Sequence, residues 1–281
     1  MSRSLKIVLA YDGTSLVGWQ RQPAGVSVQA LVEDALAAIE GRPVVVVGAG
    51  RTDAGVHALG QVASFRIEHP IPSDELARAL NARLPDEVRV LSVEEVPDDF
   101  HARYGARSKT YRYLVLNDRL VSPFERRFVW QVARPLDIAA MAEAARHLEG
   151  RHDFAALQGA GSAAKTTVRT IAQARIHLLA AMEVAGGMTL AARPEGGRLV
   201  AFDMRGDGFL RHMVRNAVGT LVEIGLGRRT PASMADLLAS GDRTLAGPTA
   251  PPTGLFLVGV DYAPGPAAPP SRSLAPPEGT L

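Results

Sequence analysis

Hydrophobic and polar positions alternate with two different periods along this chain, and the switches between them outline its elements. Residues 5–11 (LKIVLAY) alternate and are rich in β-formers, which predicts a strand ended by the turn pair Asp12-Gly13. After Ser27, a good N-cap, Val28, Leu31, Val32, Ala35 and Ile39 recur at the spacing of an amphipathic helix. Residues 44–47 form a short buried-strand run that stops at Gly48-Ala49-Gly50, and residues 62–67 alternate as a further strand. Ser73, followed by Asp74 and Glu75, is expected to cap a second helix through Leu84, and residues 88–96 close the half as a strand. Strand, helix, strands, helix, strand is the order of a split βαβ unit of the ferredoxin-like kind.

The second half repeats this order with longer connections. Residues 111–116 read as a strand, Asp137 caps a helix through Leu148, and residues 168–183 and 198–204 read as paired strands. A helix is expected from Phe209 to about Ile224, with Leu210, Met213, Val214, Ala217, Val218 and Leu221 on its apolar face and Arg211, His212, Arg215 and Asn216 opposite. Thr230 as N-cap, Pro231 at the first helical position and Gly241 past the end bracket a short helix, and residues 255–260 form the last strand. From Ala263 onward there are six prolines in nineteen residues and hardly any large apolar side chain, so residues 263–281 are expected to stay disordered.

Composition narrows the chemistry. The 281 residues include no cysteine, which removes disulfide scaffolds, thiolate metal sites and cysteine nucleophiles. The length suits about two domains, and no apolar stretch approaches the ~20 residues of a membrane span. The first nine residues lack the apolar core and cleavage site of a secretory signal, so a cytoplasmic location is expected. A net charge of +2 argues against a strongly basic coating protein, yet all but three of the 31 basic residues are arginine, the side chain that grips phosphate bidentately and stacks on bases.

Three constellations carry candidate chemistry. Residues 51–57 (RTDAGVH) lie in a turn between two predicted strands and expose the Asp53 carboxylate among small neighbours; alone, such an aspartate commonly just satisfies turn amides. Residues 101–113 hold four Arg/Lys, one His and three Tyr without an acid, a composition suited to neutralising phosphates and stacking a base, or equally to a solvated edge strand. Arg211 and Arg215 lie one helical turn apart, and a cation beside a carboxylate would keep it ionised and oriented. The segment 159–166 imitates a phosphate-binding loop but has Ala164 where glycine is required before Lys165, and no His pair has zinc spacing, so neither a nucleotide nor a metal is expected.

Taken together, residues 11–14 (YDGT), 18–22 (GWQRQ), 50–58 (GRTDAGVHA), 100–103 (FHAR), 109–113 (KTYRY), 152–154 (HDF), 169–171 (RTI), 208–216 (GFLRHMVRN) and 250–255 (APPTGL) resemble, in order, the motifs of the tRNA pseudouridine synthase A family. The resemblance implies an α+β pseudouridine synthase fold of two ferredoxin-like (RRM-like) halves with antiparallel sheets meeting at a central cleft. The N-terminal domain, 1–104, would carry the catalytic aspartate, and an α+β domain would span 105–262. It further implies a cofactor-free isomerase that turns uridine into pseudouridine at positions 38 to 40 of the tRNA anticodon stem-loop, acting as a cytoplasmic homodimer. Asp53 would be the nucleophile, Tyr111 would stack on the uracil and take part in removing the C5 proton, and Arg215 would pair with Asp53. Arg51, His57, Leu255 and Arg211 would meet the substrate. Leu16 stands where the family often has an aromatic, which removes a stacking role there. A noncatalytic protein with two RRM-like halves is the alternative, and a hydrolase releasing free uracil is a further rival.

Overall fold

The computed structural model describes residues 2–161, 164–180, 182–184, 188–190 and 197–262; the expected disordered tail, 263–281, lies outside them. Strand β1 (Arg3–Tyr11) buries every second side chain, Leu5, Ile7, Leu9 and Tyr11, on one face. Helix α1 (Val28–Glu40) lays Val28, Val32, Ala35 and Leu36 against that face; Ser27 Oγ accepts a hydrogen bond from the Ala30 amide at 3.3 Å, and Gly41, at φ 78°, closes the other end. Then follow β2 (Val47–Gly48), β3 (His57–Ile67), α2 (Ser73–Asn81) and β4 (Val88–Glu95). The second half comprises β5 (Ala106–Asn117), β6 (Trp130–Gln131), α3 (Ile138–Arg146), β7 (Gly150–Asp153), β8 (Val168–Leu179), a small pair β9 (Met182–Val184) and β10 (Met188–Leu190), β11 (Arg198–Gly206), α4 (Met213–Gly225), α5 (Ser233–Ser240) and β12 (Leu255–Tyr262).

The halves share one sheet of order β4-β1-β3-β12-β5-β11-β8-β7, with β2 beside β3 and β6 beside β5. The last strand makes the join. β12 pairs antiparallel with β5 and, through Phe256 opposite His57 and Leu257 opposite Ala58, parallel with β3. The helices pack on the face that carries Leu5, Ile7, Tyr111, Tyr113, Phe202, Met204 and Leu257, where each fully buried aliphatic side chain contributes about 1.5–3 kcal/mol. On the other face, Val121, Phe128 and Val129 from the connection between β5 and β6 cover Leu114, Leu116, Leu199, Ala201 and Phe256.

Several local expectations shift. Of the 44–47 run only Val47 is strand, continuing into Gly48, and Val45 is 75% exposed. Pro72, not Ser73, occupies the N-cap of α2, and no side chain caps it. Helix α5 starts at Ser233, because the residues after Thr230 make a preceding turn; Gly241, at φ 65°, ends it as expected. β8 stops at Leu179 rather than running on to residue 183. The largest change is at α4, which begins at Met213 and not at Phe209. Phe209 and Leu210 are packed apolar residues of the loop, so burial without helicity extended the apparent periodicity.

Candidate active site

The site lies where the two halves join. The loop between β2 and β3 carries Asp53, and four contacts, three to its backbone and one to a side chain, hold it against the N-terminal half. The Trp19 amide donates to Thr52 O at 3.1 Å, the Gly55 amide to Leu16 O at 3.2 Å, and Gln61 Nε2 to Gly50 O at 3.0 Å. Tyr11 Oη and Thr52 Oγ1 share a hydrogen bond of 2.9 Å. Burial pushes the Tyr11 phenol up to about 12, against the hydrogen bonds with Thr52 and Gln61, so it stays protonated in this clamp. Gly18, at φ 97°, passes so close that a Cβ there would lie 2.4 Å from Thr52 O. The YDGT and GWQRQ motifs therefore act as the mould of the Asp53 loop, a role that pattern reading does not assign to them.

Asp53 meets two nitrogen donors from the far half of the chain. Arg215 Nη1 and His212 Nε2 each stand 3.5 Å from Asp53 Oδ2. Arg215, in the first turn of α4, is anchored by Nε donating to Ala250 O at 2.8 Å, while the Ala250 amide returns a bond to Arg215 O at 3.1 Å. Its guanidinium is thus fixed on one side and offered to the carboxylate on the other. His212 precedes the helix at φ 60°, ψ 1°, and is the one non-glycine residue with positive φ among those described. That conformation costs about 1–2 kcal/mol for a side chain with a Cβ. Such strain gathers at functional sites. Burial lowers the imidazole below its ordinary 6.5, and Arg215, Arg211 and Arg243 push the same way while Asp53 opposes them.

Tyr111 reaches the same region from β5. Its ring meets Phe209 edge-on at 4.8 Å, and its hydroxyl points toward Gly50 without a hydrogen-bond partner among the described residues. Burial, reinforced by the nearby Tyr11 and Asp53, raises the phenol well above 10 and keeps it protonated. Leu255 and Leu257 on β12 lie opposite Tyr113 and Tyr111 on the same sheet face. Tyr113 itself is committed to the fold, donating its hydroxyl to Pro251 O at 2.7 Å. Arg51 is exposed, two residues from Asp53, with no hydrogen-bond or ion-pair partner among the described residues. Lys109 lies against Gly50; burial, with Arg103 acting in the same sense, lowers its ammonium below 10.5.

Two of the expected substrate contacts are placed differently. His57 is 1% exposed and stacks on Phe256 at 4.8 Å. Its Nε2 lies 3.0 Å from Arg127 O, and its Nδ1 lies 3.0 Å from the Gly13 amide and 3.2 Å from Asp12 Oδ1, so both ring nitrogens are engaged by the protein. His57 is thus packed into the framework between β3 and the layer around Phe256. Arg211 is not on a helix face with Arg215. It lies in the loop before α4 and donates to Ala160 O at 2.8 Å, though its side chain is exposed beside the site. Asn216, expected opposite the apolar stripe, is fully buried, donating to Leu157 O and accepting from Thr249 and Arg243. Among the described residues, no group of three or more His, Cys, Asp or Glu could hold a metal ion, and no helix is long and apolar enough to cross a membrane.

Chemically, the arrangement presents a carboxylate and a tyrosine hydroxyl that make no side-chain hydrogen bond to the described residues, two nitrogen donors flanking the carboxylate, and exposed arginines. Comparison with known proteins gives this a context. A family description, tRNA pseudouridine synthase, matches residues 7–105 and 144–263, leaving β5 with Tyr111 between the two stretches. A tRNA pseudouridine synthase A of Myxococcus xanthus is 47% identical over 264 residues, covering 94% of this chain and 94% of that protein. Those of Syntrophotalea carbinolica and Solibacter usitatus are each 46% identical, over 260 and 263 residues, covering 92% of this chain and 96% and 100% of theirs.

Proposed function

Because the chain belongs to the tRNA pseudouridine synthase family, we propose that it isomerises uridine to pseudouridine at positions 38 to 40 of the tRNA anticodon stem-loop, with Asp53 as the nucleophile. The observation that carries this reading is the convergence of Asp53, Arg215 and Tyr111 from three separate elements, with the carboxylate making no side-chain hydrogen bond to the described residues. Substrate and product are isomers. The N-glycosidic bond breaks, the ring turns, C5 bonds to C1′, and the proton lost from C5 balances the one gained at N1.

Each residue has a task in that sequence. A base in a stem must first leave the stack, at a cost of a few kcal/mol. Arg51, exposed and unpartnered among the described residues, is suited to fill the vacated place, with Arg211 nearby for the backbone. Tyr111 stacks on the uracil, and Leu255 lines the pocket from the neighbouring strand. Since burial keeps the Tyr111 phenol protonated, it takes the C5 proton only as its own moves on; Asp53 is the carboxylate that faces it. Arg215 stands beside Asp53 and orients it by charge. We assign the nucleophile to the unit 1–104, and the base-binding and cationic groups to 105–262. The reading extends to a cytoplasmic homodimer cradling one tRNA, which rests on family membership.

The test is a pseudouridine-specific chemical map of tRNA incubated with the wild type and with Asp53→Ala. Modification at positions 38 to 40 by the wild type alone, with tRNA still bound by the variant, is the expected result. Equal modification by both would favour the noncatalytic alternative, and free uracil with an abasic site would favour hydrolysis.

A further inference from the structure

His212 has two features that helix capping or backbone shape do not explain. If the position served only the left-handed turn, glycine or asparagine would adopt it more cheaply. If it served only the helix end, its side chain would cap α4, and it makes no such bond. Instead the turn delivers its ring, and the guanidinium of Arg215 three residues on, to one atom: both stand 3.5 Å from Asp53 Oδ2. Asp53 Oδ1 accepts no hydrogen bond from any described residue. The other side of the imidazole is packed on Gly159, where a Cβ would fall 2.7 Å from Nδ1, so the ring is held in place from behind.

We propose that His212 is a positioning residue that, with Arg215, holds Asp53 by Oδ2 and so presents Oδ1 as the attacking oxygen. The carboxylate only accepts, so the neutral ring carries its proton on Nε2. The 3.5 Å spacing is that of an open site; catalytic contacts of this kind shorten when substrate binds. Arg215 alone, attached to a single carboxylate oxygen, would leave the group free to swivel about that contact. A second donor, from a different residue, restrains that swivel.

The protonation state of His212 sets how strongly Asp53 is held. The charges facing the ring are Asp53 from the β2–β3 loop, Arg215 from α4, the adjacent Arg211, and Arg243 ahead of β12. Burial first, and the arginines in the same sense, disfavour imidazolium, which keeps the ring neutral near pH 7. In acid the imidazolium grips the carboxylate by charge as well, and Asp53 becomes a weaker nucleophile. Turnover therefore falls on the acid side below the ordinary histidine value of 6.5.

This inference rests on the proposed role of Asp53, and the experiment separates the two. Single-turnover rates and tRNA dissociation constants are measured from pH 5 to 8 for the wild type, Asp53→Ala, and His212→Gly and His212→Asn, both of which accept the left-handed turn. The expected result is a rate on the order of tenfold lower in each His212 variant, the scale of one hydrogen bond to a charged group, with binding unchanged and the acid limb gone. A His212 variant that turns over at the wild-type rate, loses rate only in proportion to binding, or keeps the acid limb overturns the inference, provided Asp53→Ala is inactive. If Asp53→Ala is active, it is the role of Asp53 that fails.

Discussion

Tyr11 and Thr52 share a 2.9 Å hydrogen bond in the buried wall behind Asp53, joining the end of the first strand to the residue just before the proposed nucleophile. Replacing Tyr11 by Phe leaves the Thr52 hydroxyl without that partner. The expected cost is about 1–2 kcal/mol, read as a melting temperature lower by a few degrees. Turnover should fall by more than tRNA binding, because the lost contact fixes the loop and not the RNA surface. Equal losses in rate and binding would count against the clamp.

Arg215 makes two contacts from different nitrogens of one planar group, Nε to Ala250 O and Nη1 toward Asp53. Lysine keeps the charge but cannot do both. Arg215→Lys should lower the single-turnover rate on the order of tenfold or more, while the dissociation constant for tRNA stays near the wild-type value. A full-rate Lys variant would show that charge alone suffices.

Gly18 combines a φ of 97° with an approach that would put a Cβ 2.4 Å from Thr52 O. Gly18→Ala must therefore push the Asp53 loop away or unfold its support, at about 1–3 kcal/mol for the backbone strain alone. Loss of activity together with a lower melting temperature is expected. An Ala variant of unchanged stability and rate would mean the loop has slack that its contacts do not suggest.

Asp12 predicts how stability changes in acid. Burial alone would raise its carboxyl, but the contacts with His57 and Thr14 prevail and hold it well below 3.8; Arg127 adds an ion pair at 2.8 Å. A carboxyl depressed in the folded state contributes stability that is complete above its unfolded value and is lost as pH falls through and below it. The melting temperature should therefore drop as pH is lowered past about 4, and Asp12→Asn should flatten that drop while lowering stability at pH 7.

Where a residue's environment is set by its immediate neighbours, the sequence was readable. Ser27 and Asp137 cap α1 and α3 as their positions suggest, because an N-cap bonds to an amide three residues on. Gly241 ends α5 for an equally local reason. The start of α4 is not legible in the sequence, because the hydrophobic period does not distinguish Phe209 packed on Tyr111 in a loop from Phe209 on a helix face. Proximity to Asp53 in the chain says nothing of direction: successive residues entering β3 face opposite ways, and His57 turns into the Phe128 and Phe256 layer.

By itself, the sequence determined the kinds of element, their order, the absence of thiol chemistry and, through nine ordered motifs, the family. The tertiary structure alone decided which of those motifs meet. β12 pairs with β3 about 200 residues earlier in the chain, and it is this join that brings the Asp53 loop to Tyr111 and to the start of α4. Convergence of Arg215 and His212 on one oxygen depends on the sheet order and on a single left-handed turn. Neither leaves a periodic signal, since periodicity records which face of an element is buried and not which distant element buries it.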